Sequence, residues 1–305
     1  MRVRILGSAA GGGSPQWNCR CEVCRLAWAR DPRVPWRTQC SAAVSADGER
    51  WVLLNASPDL RQQILDNPPL WPRGDASGGD GSGGDGRASP IGHVVVTNAD
   101  IDHLAGLLTL RERQPLTVAA EGPVLDQIAA NPAFGVLDPE IVRFERLRAG
   151  APHHLADVEV TPLPVPAKVP LWMERGAETL AAEGTALLLS AGGRRVAYVP
   201  ACAAVTAALR AAVAGCDLLL FDGTLWRDDE LRAAGVGTKT GRRMGHLPIS
   251  GPDGALAAWR DVPLGRRVFI HLNNTNPLLV AGSPERIAVA DAGWEVAEDG
   301  MEFAW

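Results

Sequence analysis

The sequence predicts an α/β sandwich, two β-sheets covered by helices, and three observations carry that expectation. Val94–Val96 is an unbroken β-branched run, the mark of a strand buried on both faces. Strand-like and helix-like segments alternate after a β-rich opening, and the second half repeats that order. Polar and titratable residues follow the ends of apolar strands, where α/β proteins place their chemistry. With 305 residues the chain can bury a large core, and it reads as one domain spanning residues 1–305.

In chain order, Arg2–Leu6 is a strand, and GSAAGGGSP after it is a glycine-rich turn. Cys40–Ser45 and Trp51–Asn55 flank ADGER, whose Asp-Gly signals a hairpin. Leu60–Asn67 reads as a short helix. Residues 74–88, rich in Gly, Asp and Ser, read as a flexible insertion, because a calcium-binding roll needs several regular repeats with apolar positions. The strand Val94–Val96 is followed by a helix over Leu104–Arg113, a strand at Leu116–Ala119 and a helix at Pro123–Asn131. Val158–Pro164, Thr185–Ser190, Arg195–Val199 and Asp217–Phe221 are strands, with a helix at Ala203–Ala214 before the last. Val268–His271 is a strand leading into the irregular NNTNP, and Arg286–Ala290 and Trp294–Glu298 finish the chain. No strong internal sequence repeat is evident.

Apolar residues make up 46% and charged residues 21% of the chain, as in ordinary globular proteins. A formal net charge of −5 argues against a general nucleic-acid partner. No apolar run reaches the roughly 18 residues that span a bilayer, so membrane insertion is not expected. The start MRVRILGSAAGGG carries too short an apolar stretch for a signal peptide. A cytoplasmic setting follows, and in that reducing environment closely spaced cysteines point to metal rather than disulfides.

The segment NCRCEVC places Cys19, Cys21 and Cys24 within six residues of one loop, residues 19–24. Thiolates are soft ligands suited to zinc, and a structural zinc takes four ligands. The alternative is three thiols packed as small apolar groups; their crowding after a glycine-rich turn favours zinc. Cys40, Cys202 and Cys216 have apolar or small neighbours and read as core residues.

A second set lies at strand ends. Asp102 and His103 follow the Val94–Val96 strand, Asp222 ends LLLFD, His246 sits in the glycine-flanked RRMGHLPIS, and His271 ends RVFIH. Asp102, His103 and His271 together would make a two-histidine, one-carboxylate face with open positions, which suits non-haem iron(II). Asp102 could instead orient His103 from behind. His93, His153 and His154 lack the strand-end setting and read as surface residues.

The turn TNADIDHLAGL resembles the metallo-β-lactamase superfamily signature T-H-x-H-x-D-H-x-x-G-L with two substitutions. Together with SAAGGGSPQWNCRC, VPAKVPLW, FDGTLW, MGHLPIS and HLNNTNP, it is similar to the pyrroloquinoline quinone (PQQ) biosynthesis branch of that superfamily over nearly the whole chain. The resemblance implies an αββα sandwich with a metal site at the mouth between two mixed sheets. It implies that Asn98 and Asp100 stand where two metal histidines would be, and that Asp102, His103 and His271 keep their ligand roles. Residues 165–168 hold no histidine where a third is expected, and Ala201 takes the place of the bridging aspartate. His246 falls where phosphodiesterase relatives use a histidine for proton transfer, and Asn274 where they place the fourth ligand of the structural zinc.

Three functions stay open on this reading. The first is an iron(II)- and dioxygen-dependent hydroxylase in PQQ biosynthesis, acting on the tyrosine of a peptide-derived Glu–Tyr precursor. There Asp102, His103 and His271 would hold iron, Asp222 and His246 would orient substrate or move protons, and Asn98 and Asp100 would supply hydrogen bonds. The second is a non-catalytic carrier that binds PQQ or its precursor for transport to the periplasm. The third is a residual hydrolase, weakened by the loss of its bridging ligand. Partners would be the tyrosine-containing precursor or a PQQ intermediate, and other proteins of the pathway.

Overall fold

The computed structural model describes residues 1–73, 88–174 and 181–305. Apart from Ala88, the expected insertion at residues 74–88 lies outside them. The first sheet opens with β1 (Arg2–Gly7), β2 (Ser41–Ser45), β3 (Trp51–Leu54), β4 (Ile91–Val96), β5 (Leu116–Glu121) and β6 (Val142–Leu147). The second is built from β7 (His153–Leu155), β8 (Val158–Lys168), β9 (Ala181–Ala191), β10 (Arg194–Val199), β11 (Leu218–Asp222), β12 (Arg266–Ile270) and β13 (Glu295–Val296). The last strand, β14 (Glu302–Ala304), returns to pair with β1. The strand orders are β14-β1-β2-β3-β4-β5-β6 and β13-β12-β11-β10-β9-β8-β7. Each sheet mixes an antiparallel meander with a run of parallel strands, β3 to β6 in one and β10 to β13 in the other.

Both faces of the central strands are dry, which explains their unbroken apolar runs. Val52 and Leu54 of β3, Val95 of β4, Val196 and Tyr198 of β10, and Leu218 and Leu220 of β11 fill the layer between the sheets. Their neighbours in sequence point outward because side chains alternate along a strand. Trp51, Leu53, Val94 and Val96 face the helices over the first sheet, and Ala197, Val199, Leu219 and Phe221 those over the second. Each such side chain, fully buried, contributes about 1.5–3 kcal/mol.

The covering helices are α1 (Glu22–Trp28), α2 (Leu60–Leu65), α3 (Ile101–Leu104), α4 (Gly122–Ala130), α5 (Ala207–Val213), α6 (Glu230–Ala233), α7 (Ala255–Ala258) and α8 (Pro284–Asp291). None among the described residues is long and apolar enough to cross a membrane. α5 is shorter than Ala203–Ala214 because Thr206 caps it, its hydroxyl accepting from the Leu209 amide at 3.1 Å.

Three expectations need correction. The helix over Leu104–Arg113 is instead one α-turn, α3, followed by a 3₁₀ segment at Ala105–Leu110. The cause is close packing: Gly106 N–H donates to the Ala56 carbonyl at 2.8 Å, and a Cβ on Gly106 would lie 2.2 Å from the Ser57 carbonyl oxygen. The cysteine segment is not wholly loop, since α1 starts inside it with Cys21 as its N-cap. His93 is not a surface residue; it sits half-buried in β4 with Nδ1 lacking a hydrogen-bond partner.

β8 outruns its expected end at Pro164 and reaches Lys168, with Pro162, Pro164 and Pro166 at every second position. Its register against β9 runs through all three. The carbonyls of Pro162 and Pro166 turn away from β9 and accept from Gly150 N and Ala203 N, each at 2.8 Å. The imide nitrogens therefore also face outward, where no ladder bond is needed.

Candidate metal centres and adjoining cavity

The strand-end residues converge at one mouth of the sandwich. His103 lies on α3, just after β4; Asp222 is the last residue of β11; His271 directly follows β12. Oδ2 of Asp102 lies 3.2 Å from Nε2 of His271 and 3.7 Å from Nε2 of His103. The His103 and His271 rings meet edge to face, with centroids 5.3 Å apart. These three ligand atoms lie within 4.8 Å of one another.

Two threonines set the ring tautomers. The Thr224 hydroxyl donates to Asp222 Oδ1 at 2.6 Å, so its oxygen accepts from Nδ1–H of His271 at 2.8 Å. The Thr97 hydroxyl donates to Asn55 Oδ1 at 3.0 Å and accepts a long bond from His103 Nδ1 at 3.5 Å. Both rings then carry their proton on Nδ1 and turn an Nε2 lone pair towards Asp102. His103 Nε2 is buried without a hydrogen-bond partner. Lone pairs facing a carboxylate call for a cation or a proton between them, and this donor set fits a metal ion.

The ionisation of these groups is consistent. Burial would raise the Asp102 carboxyl, but His103 and His271 hold it well below the usual carboxylate range. Burial lowers His103, keeping it neutral as a ligand must be. Burial also pulls on His271, yet its bond to Asp102 holds it above the ordinary value. The His271 backbone is left-handed, φ 62°, an uncommon state for a residue with a Cβ. It is kept there by Leu272 N donating to Ser8 O and by Gly223 N donating to Ile270 O, at 2.9 and 2.7 Å.

Behind this centre stands an Asp222–His246 pair, with His246 Nδ1 donating to Asp222 Oδ2 at 2.8 Å. Asp222 also accepts from the amides of Cys202 and Thr224 at 2.8 and 3.0 Å. Burial works against its charge, but His246, His271 and the Thr224 hydroxyl hold the carboxyl below its ordinary range. Asp222 is fully buried, so contact with a bound molecule falls to His246.

A cavity of about 320 Å³ opens beside the centre, with His246, Asn98, Asp100 and Lys168 in its wall and Val124 and Met173 among its apolar lining. Asn98 Oδ1 accepts from the Asp100 amide at 2.9 Å, which fixes the turn into α3. Thr185 donates its hydroxyl to Glu121 at the opposite side of the opening.

The cysteines form a separate cluster. The sulfurs of Cys19, Cys21 and Cys24 lie within 4.8 Å of one another and are buried. Asn274, also buried, brings its side-chain amide 3.1 Å from Cys19 Sγ and 3.3 Å from Cys24 Sγ. The hydrogen bond with Cys21 lowers the Cys24 thiol to about 5, while that bond and burial push Cys21 up. Three crowded sulfurs that stabilise a thiolate fit a soft metal, while Asn274 faces them with its Nδ2 donor and would have to turn Oδ1 inward to complete four-coordination.

Of the candidate site residues, Asp102, His103 and His271 converge, His246, Asn98 and Asp100 line the cavity, Asp222 lies buried behind His246, and Cys19, Cys21, Cys24 and Asn274 cluster separately. Sequence reasoning missed Thr97, Thr224, Asn55 and Lys168. The spacing in FDGT, a hydroxyl two residues after a strand-end carboxylate, is a signal that could have found Thr224.

Comparison with known proteins identifies the family and the fold. A model of the beta-lactamase superfamily domain matches residues 50–272. Coenzyme PQQ synthesis protein B of Methylorubrum populi is 54% identical over 307 residues, covering 99% of both chains. The crystal structure of zinc-bound PqqB from Methylobacterium extorquens superposes with a TM-score of 0.95 at 50% identity, covering both chains completely. A diphosphatase of the PhnP family, 20% identical with a TM-score of 0.66 and covering 99% of this chain and 97% of its own, shares the fold. The chain belongs to the coenzyme PQQ synthesis protein B family, within the beta-lactamase superfamily.

Proposed function

We propose that the protein works in PQQ biosynthesis as an iron(II)- and dioxygen-dependent hydroxylase of the tyrosine ring in, or released from, a Glu–Tyr precursor. The names of its relatives, coenzyme PQQ synthesis protein B, support the pathway. The observation that carries the chemistry is the convergence of Asp102 Oδ2 with two Nε2 lone pairs, His103 and His271, beside a cavity. Two histidines and one carboxylate suit non-haem iron(II), which would supply dioxygen activation. Asp102, His103 and His271 would hold it, with Thr97 and Thr224 keeping both rings in the ligating tautomer.

The rest of the wall would handle the phenol. His246, its Nδ1 committed to Asp222, keeps Nε2 for a phenolic proton, and Asp222 steadies the charge that results. Asn98 and Asp100 would offer hydrogen bonds, and the apolar lining would keep water from the ring. The zinc-bound relative and the grouped sulfurs support a structural zinc held by Cys19, Cys21 and Cys24, with Asn274 as fourth ligand through Oδ1 once its side-chain amide is turned. A bridged two-metal hydrolase is disfavoured by Ala201 and Asn98, which offer no ligand where that chemistry needs one.

One oxygen atom enters the ring and the other leaves as water at the expense of two electrons, so the test is anaerobic loading with iron(II), then dioxygen, Glu–Tyr and an external two-electron reductant such as ascorbate, with the catechol as readout. Elemental analysis of a His103→Ala, His271→Ala double variant should show iron lost and zinc kept. Absence of catechol under stoichiometric turnover sinks the hydroxylase. Intact pathway output from the double variant would favour the carrier.

A further inference from the structure

Both lysines of the chain, Lys168 and Lys239, meet at one carboxylate, Glu174, while every other basic side chain is arginine. Lys239 takes the close bond, its Nζ donating to Glu174 Oε2 at 2.6 Å. Lys168 Nζ stands 3.6 Å from Oε1, beyond hydrogen-bond reach, and donates to the Val169 carbonyl at 3.1 Å. Arg243 adds its charge to the same carboxylate. Two lysines thus share one carboxylate, and the Lys168 and Glu174 side chains are only 12% and 7% exposed. An ammonium this sheltered, with one carbonyl acceptor among the described residues, is stabilised by a further anion.

Its position decides where that anion would sit. Lys168 closes β8 and lines the cavity. Its stem packs on Gly245, where an added Cβ would lie 3.0 Å from Lys168 Cγ. Gly245 adjoins His246, so ammonium and imidazole share one wall. A compact ammonium fits this slot, where a planar guanidinium would be broader.

We infer that Lys168 is the carboxylate-recognition residue of the cavity, gripping a carboxylate of a small organic acid whose reacting end lies against His246. The inference rests on the reading of this cavity as the substrate site. Glu174, bonded to Lys239 through Oε2 while its buried Oε1 makes no hydrogen bond among the described residues, acts as a competing anion that a bound carboxylate displaces.

Calorimetric titration of the full chain tests it without turnover, using glutarate, Glu–Tyr, the Glu–Tyr diamide and 4-methylphenol as probes. Wild type should bind Glu–Tyr and glutarate, and the diamide at least tenfold more weakly than Glu–Tyr. Lys168→Met should weaken both carboxylates at least tenfold and leave 4-methylphenol unchanged. Glu174→Gln should tighten both, an opposite sign that serves if Lys168→Met fails to fold. Glutarate bound in a Lys168-dependent way without Glu–Tyr binding would uphold the lysine and overturn the proposed substrate. Carboxylate binding absent in wild type, unchanged in Lys168→Met or not tightened in Glu174→Gln would overturn the assignment.

Discussion

Thr224 has a single hydroxyl proton and three claims on its oxygen, from Asp222, His271 and His246, at 2.6, 2.8 and 3.0 Å. Giving that proton to the carboxylate forces His271 to keep its own on Nδ1, which leaves Nε2 to a cation. Thr224→Val removes the acceptor, so metal affinity at the Asp102–His103–His271 centre should fall about 10–100-fold. Thr224→Ser should retain it. Competitive titration against a chromophoric chelator reads both, and unchanged affinity in Thr224→Val refutes the tautomer argument. The same substitution takes one donor from buried Asp222 and should cost about 1–3 kcal/mol of stability, seen by urea unfolding. The tautomer was not legible in the sequence: the titratable residues announced themselves at strand ends, and the spacing in FDGT points to Thr224, but nothing in it says which ring the hydroxyl backs.

At the scale of elements, the ligand positions depend on how segments stop. α3 ends after four residues because the chain at Gly106 runs against Ala56 and Ser57, and the Ala56 amide ties back to the His103 carbonyl at 2.7 Å. Gly106→Ala would push the His103 turn off this support. It should lower stability by about 1–3 kcal/mol and weaken metal binding, measured by thermal unfolding with and without added metal. Full metal affinity in a destabilised Gly106→Ala would show that the turn is set elsewhere. Apolar periodicity made β1 to β5 and β8 to β12 readable, since it records burial. The collapse of the Leu104–Arg113 helix was not readable, because its cause is a contact made by residues some fifty positions earlier in the chain. β6, β7 and α1 were missed because charged, proline-flanked or cysteine-rich segments carry no such period.

At the scale of the molecule, the two sheets repeat one plan, although no repeat is visible in the sequence. An antiparallel meander, β1-β2-β3 or β8-β9-β10, leads into parallel strands, and Thr97 and Thr224 follow the corresponding strands β4 and β11. Each half thus delivers one threonine-backed histidine to the mouth, a symmetry recorded by topology rather than by residue identity. The cysteine cluster ties the start of the chain to its end, joining residues 19–24 to Asn274 across both sheets. Closing so long a loop restricts the unfolded chain strongly. Zinc removal by a strong chelator should therefore lower the thermal midpoint by several degrees, and scanning calorimetry before and after zinc is restored would measure it; an unshifted midpoint would show that the cluster is no staple. The prolines of β8 act on what happens outside the molecule. Beyond its short pairing with β7, this rim of the second sheet has its outward carbonyls occupied by Gly150 and Ala203 and lacks N–H groups at three alternate positions. An incoming extended strand would find no ladder to join, so this rim resists both strand-swapped assembly and fibril growth. Association of copies through this rim is thereby disfavoured, which keeps the cavity mouth, bounded by the far end of the same strand, free of a neighbour's backbone docked on it.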